Sequence, residues 1–418
     1  MIYVSLLILF ISFCDIIYIR NGGYKMKYYD KFFNGVNRRG TDCYKWDLQK
    51  TAYNTDKILP FWVADSDYET LEDVKEAFIE RSKNGAFGYT LYTDELYDTI
   101  CKWCYEHYGY KTHKDNIVIT TGVVNALYFI VNMFTKDGDS ILVNPPVYNP
   151  FYNVVKANGR TLEYSKLIRE EIDDLLFTYH FDFDDLEAKI EKCKMFILCN
   201  PHNPVGRCYT EEEISKIVKI CKKHNCILVS DEIHCDLIME GSKFTSVGRF
   251  FDEYEDIILC TAPSKTFNVA GLSESNIIFN NLTMASAFNK TYEDMSIEIN
   301  TFGLLGCLIS YQKGSEWVKE QNYYLNENKN IVYDFARKNK FKIAKLEATY
   351  LMWIDITRLG LSQDEIFNKL IEYGVWINNG TMYSNDCNGF IRLNIACGRK
   401  QLLDGLEIIQ KFINEYDK

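Results

Sequence analysis

Apolar runs that each lead straight into a chemically capable polar residue, one helix plus one strand apart, constrain this chain more than any other feature. Met195 to Cys199 leads into NPHNPVGR (Asn200 to Arg207), Cys226 to Ser230 into Asp231 and Glu232, and Ile257 to Cys260 toward Lys265 in TAPSKTFNVAGL (Thr261 to Leu272). Ile117 to Thr120 and Ile141 to Val143 are further strand candidates. Between strands, Glu213 to Lys223 sets Ile214, Ile217, Val218 and Cys221 at helical spacing, one apolar stripe to lay against a sheet. Strands alternating with amphipathic helices imply an α/β fold with a mostly parallel sheet. Asn203, Asp231 and Lys265 then fall at strand exits along one edge, where open α/β sheets place their ligands.

The residue types at those exits share one chemistry. A lysine in a half-dry cleft loses solvation, which disfavours the ammonium and leaves a nucleophilic amine able to form a Schiff base with an aldehyde. Pyridoxal phosphate (PLP) is the commonest protein-bound aldehyde. Asp231 suits a protonated pyridine nitrogen, although on its own it equally suits the cap of a following turn. A turn locked by Pro201 and Pro204 can hold the Asn203 amide toward a phenolate oxygen of the same ring. TTGVVNAL (Thr120 to Leu127) follows a strand and opens a helix, so the N–H groups of Gly122, Val123 and Val124 are placed to hold a phosphate. Ser264 and Thr261 offer it hydroxyls, or are ordinary strand-end residues.

NPHNPVGR, SDEIHCDL, APSKTFNVAGL and FIRLNIACGR, with NRRGTDCYKWD and LPFWVADSDY near the start, resemble the fold-type I PLP enzymes of the aminotransferase class I/II family. More closely they resemble its cystathionine beta-lyase group, the PatB-like or MalY-like C-S lyases, from about Met26 to the C-terminus. The resemblance implies a large cofactor domain over 75–310, and a smaller α+β domain built from the N-terminal segment 26–74 and residues 311–418. It also implies roles for single residues. Tyr148 stacks on the pyridine ring, His234 lies near the phenolate oxygen, and Tyr89 reaches the site of a second subunit, so a homodimer is expected. Arg392 grips a substrate α-carboxylate, with an internal salt bridge as the structural alternative. Ala64 and Asp65 border the amino-acid pocket. The larger class often has a phosphate-binding arginine where this chain has Ser273, so phosphate neutralisation must come partly from elsewhere.

Composition narrows the partners. With 47 Lys and Arg against 58 Asp and Glu, a net charge of −11 argues against nucleic acid and anionic membranes. Many of the 14 cysteines sit in apolar runs as small hydrophobes and suit a reducing cytoplasm. Cys101 and Cys104 have no second pair at metal-site spacing, so no metal is expected. Ile2 to Ile19 is almost wholly apolar but lacks the basic start of a signal peptide and carries Asp15. Residues 1–25 are therefore read as an upstream extension or apolar leader ahead of a start at Met26, with a membrane anchor as the lesser reading.

The implied activity is a C-S beta-lyase, cleaving L-cystathionine or another cysteine S-conjugate to a thiol, pyruvate and ammonia. An aminotransferase using the same cofactor and the same cofactor-binding motifs is the rival. A catalytically idle scaffold that binds a regulatory partner is a third reading, disfavoured by the joint presence of Lys265, Asp231, Asn203 and Arg392.

Overall fold

The protein, as a computed structural model, is described over residues 26–416, so the expectation for residues 1–25 lies outside the described residues. Two sheets organise it. The larger has seven strands: β2 (Ile117–Thr120), β3 (Ser140–Val143), β4 (Thr161–Tyr164), β7 (Met195–Cys199), β8 (Ile227–Asp231), β9 (Ile257–Thr261) and β10 (Ser275–Phe279). They lie in the order β2-β10-β9-β8-β7-β3-β4, and only β10 runs antiparallel to its neighbours. Strands β7, β8 and β9 are buried at every residue, as a parallel sheet covered by helices on both faces demands.

Helix α1 (Val123–Phe134) follows β2, and helix α2 (Glu211–His224) carries the predicted stripe between β7 and β8, with Ile214, Ile217, Val218 and Cys221 buried. Thr210 and Glu213 close a capping box at the start of α2, which explains why the helix begins at Glu211, ahead of its apolar stripe. Asn225 ends it in the left-handed conformation, φ 51°.

The second sheet has six strands in the order β14-β15-β12-β11-β6-β5. These are β5 (Ile168–Glu171), β6 (Leu176–His180), β11 (Lys342–Ala344), β12 (Leu351–Asp355), β14 (Asn378–Asn379) and β15 (Phe390–Asn394). β6 pairs in parallel with β11, so residues 168–180, inside the span expected for the large domain, lend two strands to the second sheet. The long helix α3 (Ser315–Lys338) leads into this sheet, and β1 (Leu59–Pro60) pairs with β13 (Val375–Trp376) beside it. That pairing delivers the segment after Pro60 to the seam between the sheets. Among the described residues no helix is long and apolar enough to cross a membrane.

Candidate active site

The predicted strand exits converge on one cavity of about 220 Å³. Its walls include Ala64, Gly122, Tyr148, Asn203, Asp231, His234 and Lys265. Asn203 stands in the turn after β7, Asp231 is the last residue of β8, and Lys265 follows β9 by four residues. Lys265 is half-buried at the cavity wall. Nζ donates to Ala64 O at 2.8 Å. Burial pushes this amine below its ordinary value, Arg392 adds to the effect, and Asp65 and Asp231 oppose it.

Asp231 is 4% exposed, and one of its oxygens accepts from the Ile233 amide at 3.2 Å. Burial raises its carboxyl to about 7, countered by that amide and by Lys265. Beside it His234 is buried, its Nδ1 without a partner, and burial drives the ring well below its ordinary value, so it is neutral. Tyr148 lines the same wall, its phenol pushed up to about 12 by burial.

At the far end, α1 starts with no side-chain cap. Gly122 sits there at φ +113°, a conformation open to glycine, and a Cβ built on it meets nothing within 4 Å. The open space and uncapped N–H groups make an anion seat. Its amides are not all free: Gly122 N donates to Ser275 Oγ at 3.1 Å, leaving Val123 and Val124 from the predicted three. Ser264 lines the cavity.

One predicted contribution is corrected. Thr261 is not at the phosphate seat: as the last residue of β9 it is 2% exposed, and its hydroxyl donates to Asn276 O on β10 at 3.3 Å. The carboxylate of Asp65 acts on the Lys265 amine through its charge but is bonded elsewhere. It is drawn into a cluster with Arg38 (2.8 Å) and Lys45 (3.5 Å), which Asp67 completes. Ala64 keeps its place through its carbonyl. Tyr89 is 96% exposed and absent from the cavity of its own chain.

Arg392 lies on β15 and is 3% exposed. Nη1 donates to Asn203 Oδ1 at 3.2 Å, Nη2 to Trp62 O at 2.6 Å, and Nε is buried without a partner. Its hydrogen bonds thus go to neutral acceptors and none to a carboxylate among the described residues, so the internal salt bridge is not formed. A buried guanidinium without an anion calls for one from outside.

Glu274 is a wall residue that sequence reasoning did not single out. It is 3% exposed, neither carboxyl oxygen has a partner, and burial raises it to about 8.

A desolvated lysine, a buried carboxylate at the neighbouring strand exit, and an uncapped helix start at a glycine define a PLP-binding site of the fold-type I class. The residues fit the cofactor: Lys265 for its aldehyde, Asp231 for the ring nitrogen, and the α1 start for the phosphate. The chain belongs to the aminotransferase class I and II family, whose model matches residues 56–407. Cystathionine beta-lyase PatB of Bacillus subtilis is 37% identical across 89% of this chain and 97% of its own. A PLP-bound putative aminotransferase from Clostridium difficile 630 superposes with a TM-score of 0.87 at 34% identity, covering 91% of this chain and 99% of that one. The PLP-bound C-S lyase from Staphylococcus hominis does so at 0.83 and 32%, covering 91% and 97%.

Proposed function

We propose that the protein is a PLP-dependent carbon-sulfur beta-lyase acting on L-cystathionine or related cysteine S-conjugates. The single observation that carries the substrate half is the buried Arg392, which has donors to spare and no anion of its own. It is placed to take an α-carboxylate with two parallel hydrogen bonds. When bound, PLP supplies a carbon that bonds an amino group and a ring that withdraws electrons from Cα.

The chain's own residues do the rest. Asp231 holds a proton on the ring nitrogen, and Asn203 presents its amide NH2 while its oxygen stays with Arg392. Fixing the carboxylate sets the angle of the Cα–H bond relative to the ring. Lys265 Nζ, whose hold on its own proton burial weakens, takes that proton and returns it to the departing sulfur. The C–S bond breaks, the thiol leaves, and hydrolysis of the three-carbon remainder yields pyruvate and ammonia.

The relatives named for cleavage of carbon-sulfur bonds support elimination, and the putative aminotransferase keeps the rival in view. Incubation with cystathionine and no keto acid separates them. Catalytic pyruvate and thiol support the lyase, and strict dependence on a keto acid overturns it. The reading includes a homodimer, because Phe87, Tyr89 and Leu91 form an exposed apolar run that a second copy would cover while receiving Tyr89. It also includes a reducing cytoplasm, which the free cysteines of the described residues support.

A further inference from the structure

The segment from Trp62 to Asp65 is held at the cavity by its carbonyl groups. Trp62 O accepts from Arg392 Nη2 at 2.6 Å and from Asn378 Nδ2 at 2.9 Å. Asn394 Nδ2 reaches both Val63 O and Asp65 O, at 2.6 and 2.7 Å. Ala64 O, between them, accepts from Lys265 Nζ at 2.8 Å and from the Tyr350 hydroxyl at 3.0 Å.

Tyr350 stands immediately before β12 with no exposed surface, its ring edge-on to that of His234 at 5.9 Å and 82°. Burial raises its phenol well above the ordinary range, so the hydroxyl stays protonated and donates. A carbonyl oxygen has two lone pairs. Tyr350 occupies one, and the other is left for the lysine. Once deprotonated, an amine that commits one N–H to a fixed acceptor has its lone pair direction set, which is what a base acting on a single C–H bond needs.

We propose that Tyr350 is a positioning residue for Lys265, holding the Ala64 carbonyl as the acceptor on which the amine rests whenever it is not covalently joined to the cofactor. This rests on the reading of Lys265 as the cofactor-bearing, proton-transferring lysine. Loss of the hydroxyl alone does not free the segment, because the bonds from Arg392, Asn378 and Asn394 remain, and phenylalanine preserves the packing against His234.

The test is Tyr350→Phe, studied as holoenzyme and after removal of the cofactor. In the holoenzyme the cofactor absorbance is expected to be retained, with kcat lowered about tenfold, KM changed less than about twofold, and solvent deuterium exchange at Cα slowed by the same factor as kcat. In the stripped protein, the pH midpoint for recombination with pyridoxal 5′-phosphate is expected to move upward, because a carbonyl relieved of a competing donor favours the ammonium. Unchanged kcat and an unchanged midpoint overturn the proposal. So does a fall in kcat matched by loss of cofactor absorbance, which marks general loosening. Failure of the unsubstituted stripped protein to recombine at all instead strikes the reading of Lys265 itself.

Discussion

Arg392 Nη1 donates to Asn203 Oδ1 across 3.2 Å, tying the residue proposed to take the substrate carboxylate to the residue proposed to face the cofactor ring. The bond fixes the amide: its oxygen is spoken for, and its NH2 is the group free for the ring. Asn203→Asp removes that donor and sets an anion against the guanidinium, in competition with substrate. KM is expected to rise about tenfold or more with kcat also reduced, read by steady-state kinetics at saturating cofactor.

Arg392→Lys keeps the charge and loses the planar fork. Lysine cannot bond Asn203, Trp62 O and a carboxylate together in this geometry. A fall of about a hundredfold in kcat/KM is expected, with the cofactor spectrum unchanged, because the proposed role of the residue is to hold the amino acid and not the ring.

Much of the site was legible because strand exits are a property of topology. Asn203, Asp231 and Lys265 lie at or just beyond the ends of adjacent parallel strands, and apolar runs of this length announce such strands. What failed depended on the register and partners of single side chains. Thr261 turns to Asn276 because β10 pairs with β9, and Gly122 loses its amide to Ser275 of that same strand. The ion partners of Asp65 were hidden because Arg38 and Lys45, which claim its carboxylate, lie well upstream. Tyr350 and Asn394 come in from the second sheet, and no local pattern marks them. The two strands at 168–180 were hidden for the same reason: nothing in their composition says which sheet they join.

Glu274 makes stability depend on pH in a predictable direction. Its carboxyl is raised from an ordinary 4.5 to about 8 by burial, so the folded protein holds a proton there that the unfolded chain gives up. Stability from this group is therefore lost as pH climbs from about 4.5 to about 8. Glu274→Gln removes the loss: its melting temperature should match the unsubstituted protein below pH 4.5 and exceed it by roughly 2–4 °C at pH 8. Equal melting curves at both pH values would show that the carboxyl is not buried neutral.

The cluster beneath the cavity is a structural prediction. Lys45 is 1% exposed and pairs with Asp67 at 2.9 Å, a carboxylate that also receives Trp46 Nε1 at 2.8 Å. Lys45→Ala leaves Arg38 alone to balance the carboxylates of Asp65 and Asp67 and should cost about 3 kcal/mol of unfolding free energy, measured by urea denaturation. A loss within the error of that measurement would mean the cluster is hydrated.

Reduction of the holoprotein with borohydride, followed by peptide mass mapping, tests the central assignment most directly. The account predicts one pyridoxyl group per chain, on Lys265. A label on another lysine, or none after loading with pyridoxal 5′-phosphate, would contradict it.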